Sequence, residues 1–80
     1  MDLIDIAVQD KQSHPRLPGR ITGHVRAVLS EQLGEQRQDH ELVIPVWTDA
    51  NPGASEGDID MALMLKAAGI IARMKARLAE

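Results

Sequence analysis

Three histidines, His14, His24 and His40, and a scatter of carboxylates are the side chains in this 80-residue chain whose chemistry could drive a reaction. Two imidazoles share one metal ion from a helix when they stand three or four residues apart on one face. No pair among the three has that spacing, so no metal ligands are expected. The stretch from Asp49 to Asp60 offers oxygen groups at Asp49, Asn51, Ser55 and Asp60, a faint echo of a calcium loop. Such a loop needs glycine at its sixth position, where Ala54 stands. Ser13, Ser30, Ser55, Thr22 and Thr48 lie in no nucleophile elbow. Ser13 precedes His14 and Asp39 precedes His40, but adjacent residues in polar segments do not converge on one substrate atom. The enzyme reading therefore reduces to His24 or His40 working with a carboxylate. Neither an enzyme nor a cofactor is the expectation.

The positive charges are better organised. Lys11 to Ser30 holds Lys11, Arg16, Arg20 and Arg26, two histidines and no acid, while carboxylates fill the first ten residues and the span from Glu31 to Asp60. Within it, "HPRLPGR" (residues 14–20) would bring two guanidinium groups to a helix start. There free N–H groups and the helix dipole together favour phosphate or carboxylate. Arg16, Arg20 and Arg26 are thus the candidate site for an anion or an acidic partner. The segment is no phosphate loop, because Gly19 and Gly23 are four apart and no Lys-Ser or Lys-Thr follows. Nucleic acid is the alternative partner, met by residues 11–30 together with a ridge of Lys66, Arg73 and Arg77. A net charge of −3 and a single aromatic ring, Trp47, count against it, since single-strand binders stack bases on several rings.

The elements that must position these groups follow from periodicity. "LIDIAV" (residues 3–8) alternates, with Ile4, Ile6 and Val8 on one side, and predicts a strand. From Pro18 to Leu33, Ile21, Val25, Val28, Leu29 and Leu33 recur at helical spacing. Pro18 suits a first turn and Gly34 a C-terminal cap, so a helix is expected there. "EQRQDH" (residues 35–40) follows as a polar turn. "ELVIPVWT" (residues 41–48) predicts a second strand with Leu42, Ile44 and Val46 on one face and Val43, Pro45 and Trp47 on the other. Both faces are apolar, which implies cover on both. Pro45 marks the strand as an edge or bulged one, because it has no N–H for a ladder. A turn at Pro52-Gly53 leads to Ser55-x-x-Asp58, a capping box with Asp in place of Glu, and a last helix runs from there to the end.

The expected fold is one small α/β or α+β domain over residues 1–80, strand-helix-strand-helix with a long C-terminal helix. Two strands joined across a helix would be parallel, with a right-handed crossover. Two strands make a poor sheet, so a third short strand or a second subunit should complete it.

The last helix carries more apolar surface than one face needs. Met64, Ala67, Ile71, Met74 and Leu78, with Leu63 and Ile70 beside them, form a bulky seam suited to a core. Ala62, Leu65, Gly69, Ala72, Ala76 and Ala79 form a second seam of nearly all small residues at spacings of three and four. Small residues let two helix backbones approach closely. This seam is expected to pair with a second copy, or else with the helix of residues 18–33.

A chain this short buries only roughly 60–65% of its unfolded surface, which makes a lone core marginal. It has no cysteine for disulfides or thiolate metal sites. "MDLIDIAVQD" lacks the basic start and long apolar run of a secretory signal, and no apolar run reaches the ~18 residues of a membrane span, so a cytoplasmic location is expected. Together these readings point to a non-catalytic accessory or regulatory protein that binds another macromolecule, a protein first of all, as a homodimer.

Overall fold

Alternation of period two extends over far more of the chain than residues 3–8. The computed structural model describes residues 1–78. It places strands β1 (Asp2–Ser13), β2 (Arg20–Leu33) and β3 (Gln36–Asp49) in one antiparallel sheet of order β1-β2-β3, followed by helix α1 (Glu56–Leu78). The fold is α+β. Fourteen-residue strands at about 3.3 Å per residue are roughly 46 Å long, which accounts for an elongated molecule of 49 × 23 × 18 Å.

The expected helix over Pro18–Leu33 is a strand, and it is the centre of the sheet. Its residues satisfy both periods. Ile21, Val25, Val28, Leu29 and Leu33 fit a helix, but Ile21, Gly23, Val25, Ala27 and Leu29 fit a strand as well, with Thr22, His24, Arg26 and Ser30 facing the other way. The β-branched residues Ile21, Thr22, Val25 and Val28 favour the pleated form. The flanking signals have a second use too. Gly34 has φ +64 and is followed by a residue of ordinary φ, as at the first central position of a two-residue II′ hairpin turn joining Leu33 to Gln36. A helix cap needs the same positive φ, so Gly34 alone does not distinguish them. Pro18-Gly19 forms a turn in which the Arg20 N–H donates to the Leu17 carbonyl at 3.2 Å and Gly19 has φ +80, the type II arrangement.

Other expectations fall with that helix. The strands are antiparallel neighbours joined by turns, with no crossover, and the segment expected as a helix completes the sheet within the chain. "EQRQDH" is mostly the start of β3. β3 is an edge strand, as Pro45 implies, but only one of its faces is covered: Leu42, Ile44, Val46 and Thr48 face the helix, whereas Val43 and Trp47 are 47% and 45% exposed.

The core lies between the sheet and α1. β2 supplies Val25, Ala27 and Leu29, β3 supplies Ile44 and Val46, and α1 lays Leu63, Ala67 and Ile71 across them, with Ile6 and Val8 of β1 packed at the side. Of the expected bulky seam, Met64 and Ile70 are partly buried, while Met74 and Leu78 are 40% and 71% exposed. The helix start is as expected. Asn51-Pro52-Gly53-Ala54 makes a second type II turn, and Ser55 and Asp58 exchange hydrogen bonds, Asp58 N–H to Ser55 Oγ at 3.1 Å and Ser55 N–H to Asp58 Oδ2 at 3.3 Å. Lys11 of β1 then clamps the first turns, binding Glu56 at 3.0 Å and Asp60 more closely.

Two predictions concern this frame. Between Val8 and Asp10 the β1 register shifts by one residue, and there the β1 backbone crosses close over Gly23. A Cβ at Gly23 would stand 2.3 Å from the Asp10 carbonyl oxygen and 3.1 Å from Lys11 Cα. Those are backbone atoms and cannot turn aside. Gly23→Ala is expected to cost about 1–3 kcal/mol, the usual range for overpacking, and urea denaturation measures it.

The second concerns Lys11, whose pKa lies above its ordinary 10.5. The hydrogen bond to Asp60 is the largest cause, desolvation opposes it, and Glu56 adds to the rise. A raised folded-state pKa stabilises the fold fully below the unfolded value and is lost as pH climbs through the folded one. The melting temperatures of the wild type and Lys11→Met should therefore differ at neutral pH and converge above about pH 10.5. The absence of tyrosine keeps phenolate titration out of the comparison. A constant difference across that range would refute the assignment.

Candidate functional site

One helix covers one face of a three-stranded sheet, so two surfaces are left to solvent: the far face of the sheet and the outer side of α1. The sheet's far face is a lattice of paired charges. Arg26, at its centre, reaches Glu41 on β3 at 3.1 Å and Asp5 on β1 at 3.4 Å. Its pKa is raised further above an already high value, first by the hydrogen bond to Glu41, then by the charge of Glu41, and less by Asp5. Beside it, His24 Nδ1 lies 2.9 Å from Asp10, and Arg20 binds Asp49 at 3.2 Å. The three strands are cross-linked by these pairs.

That arrangement changes the meaning of the basic segment. Arg16, Arg20 and Arg26 do not meet at a helix start, because no helix begins there. Arg20 and Arg26 sit on β2 and carry carboxylate partners, while Arg16 stays in the connecting loop. The loop is shaped from within: His14 Nδ1 accepts hydrogen bonds from the N–H groups of Arg16 at 3.0 Å and Leu17 at 3.1 Å, and the Gly19 carbonyl accepts one from Ala50 at 2.7 Å. No helix dipole therefore favours an anion at residues 14–20.

The histidines are each engaged separately. His14 caps its loop, His24 meets Asp10, and His40 Nε2 lies 3.0 Å from Glu31 on the helix side of the sheet. Among the described residues no three His, Asp or Glu side chains gather as metal ligands would.

The small-residue seam of α1 points away from the sheet. Leu63, Ala67 and Ile71 are buried, and Leu65, Gly69, Ala72 and Ala76 occupy the opposite side by helical periodicity. Leu65 is 65% exposed and Met61, beside it, 55%; Ala72 and Ala76 are exposed, and Ala62 and Gly69 are half-buried. Ala79 lies outside the described residues. No second helix exists in the described chain to cover the seam, so the intramolecular pairing with residues 18–33 is excluded. The charges of α1 are segregated along it: Glu56 and Asp58 in the first turn, Lys75 and Arg77 in the last.

Where this side of α1 meets the β3 edge, a groove of about 430 Å³ opens, lined by Pro45, Trp47, Leu65, Lys66, Ile70 and Arg73 among others. The Arg20 guanidinium lies 3.9 Å and the Lys66 ammonium 4.5 Å from the centre of the Trp47 ring. Both distances are within cation–π range. Periodicity places Trp47 on a sheet face expected to be covered; its position at the end of an edge strand, within reach of the helix, depends on the meander and is not a local pattern.

Neither outer strand is built for further pairing. β1 shifts register between Leu3 and Asp5 and again between Val8 and Asp10, and β3 carries Pro45. Bulges and proline blunt a sheet edge against strand addition. No helix among the described residues is long and apolar enough to cross a membrane. No protein-family model matches the chain, and no curated protein or solved structure matches it.

Proposed function

We propose that this protein is a non-catalytic binding module that acts on another macromolecule as a homodimer, joined through the outer side of α1. The observation that carries the reading is the apolar outer surface of a helix whose inner surface already forms the core. Met61, Leu65, Gly69, Ala72 and Ala76 lie where a monomeric protein's surface helix ordinarily presents charged residues. Contiguous exposed apolar surface of this kind marks an interaction site.

A second copy is the occupant that suits the charge layout. Two copies of α1 packed antiparallel, with Ala62 of each beside Ala72 of the other, would bring the acidic first turn of each beside the basic last turn of the other. Small residues at the crossing permit close approach, and the blunted sheet edges leave the helix as the means of association. Each seam residue then enters a two-fold interface twice.

Ala72→Leu tests the arrangement. Leucine between closely spaced backbones costs about 1–3 kcal/mol per site, so dimerisation should weaken roughly tenfold or more. Light scattering coupled to gel filtration reads the mass directly. A wild-type protein that is monomeric at high micromolar concentration refutes the dimer, and so does an Ala72→Leu variant that associates as well as the wild type.

A further inference from the structure

We infer that the groove between Trp47 and α1 is a docking site for an acidic polypeptide segment that carries a bulky apolar side chain beside its carboxylates. The inference names the partner surface of the binding reading and rests on that reading; Leu65 and Gly69 border both this groove and the proposed dimer seam, and the docked segment lies on their Trp47 side.

Three features of the groove converge. The first is its apolar side chains: Pro45, Trp47, Leu65 and Ile70, set between the cations of the groove, give one leucine- or phenylalanine-sized side chain a surface to pack on. The second is charge. On the sheet every cation is matched: Lys11 with Glu56 and Asp60, Arg20 with Asp49, Arg26 with Asp5 and Glu41, Arg37 with Asp39. Among the described residues, Lys66 and Arg73 at the groove have no such carboxylate. They stand seven apart on α1, two helical turns or roughly 10 Å, about the length of three residues of extended chain, so carboxylates spaced along one extended segment can reach both. The third is Trp47. It is the only aromatic side chain besides histidine and is held half-exposed under Arg20 and Lys66. Tryptophan and arginine side chains are over-represented among the residues that anchor an interface once a partner covers them.

The same surroundings disfavour a nucleic-acid strand. Its phosphates would continue past the groove onto the sheet, where Asp10, Asp49 and Glu41 lie. The Pro45, Leu65 and Ile70 side chains match an aliphatic side chain better than a sugar–phosphate backbone. An acidic peptide places its charges only at the rim.

Trp47 supplies its own readout, being the chain's single tryptophan. Three probes separate the possibilities: a short synthetic peptide alternating glutamate and leucine, a polyglutamate peptide of equal length, and a single-stranded oligonucleotide. The wild-type protein is titrated with each at low ionic strength, with Trp47 emission and calorimetry recorded. The glutamate–leucine peptide should change the emission saturably and bind more tightly than either other probe, and added salt should weaken it. Lys66→Glu and Arg73→Glu together should reduce its affinity at least tenfold, with circular dichroism confirming an intact fold. An equal affinity for polyglutamate overturns the proposal, because the apolar side chains then play no part. Tighter binding of the oligonucleotide overturns it in favour of nucleic acid. No saturable change with the glutamate–leucine peptide, or undiminished binding by the doubly substituted variant, also overturns it. A monomeric mass in light scattering refutes the dimer and leaves this result unaffected.

Discussion

The structure depends on one helix closing one face of a three-stranded sheet. Val25, Ala27 and Leu29 of the central strand meet Leu63, Ala67 and Ile71 of α1, and the other core residues fill in beside them. With so few fully buried side chains, the fold relies on close packing more than on bulk, and Ala27, Ala67 and Gly23 supply the needed small volumes. The polar contacts then secure what packing leaves loose. Lys11 ties the helix start to β1, and Arg26 ties the three strands together from the far side. Because only one helix is present among the described residues, what it leaves uncovered there is available surface: a charged sheet face and an apolar helix side.

How much of this was legible in the sequence turns on particular residues. The last helix was, because Ser55 and Asp58 form a start signal and the apolar spacing behind them runs without interruption. The strand around Ile44 was too, together with its edge position, which follows from Pro45. The central strand was not. Its apolar residues fit periods of 3.6 and 2 equally, and Gly34 serves a helix cap and a hairpin turn with the same positive φ. Pro18-Gly19 and Pro52-Gly53 make the same type of turn, yet only the second reads as one from sequence, since the helical spacing after Pro18 offers it another role. Pairing with β1 and β3 resolves the ambiguity, and pairing is not a local property.

The same reasoning separates the two candidate surfaces. The small seam of α1 was visible because a helix projects its faces onto the sequence at fixed intervals. The groove at Trp47 was not, because it joins residues from an edge strand to residues some twenty positions later through a turn and a helix. The basic segment shows the converse. Arg16, Arg20 and Arg26 cluster in sequence, but strand geometry hands Arg20 and Arg26 to carboxylates on neighbouring strands.

The order of the elements also has a consequence for how the chain is made. All three strands precede α1, and each pairs with its neighbour in sequence, so the meander can form while the polypeptide is still emerging from the ribosome. Until Leu63, Ala67 and Ile71 arrive, the face bearing Val25, Leu29, Ile44 and Val46 has no cover. Domains form from the N-terminus during synthesis, and transiently exposed apolar sheet invites misassembly. The last third of the chain thus acts toward the first two-thirds as a built-in chaperone, and a nascent chain stalled before Ile71 would present the bare sheet to its surroundings.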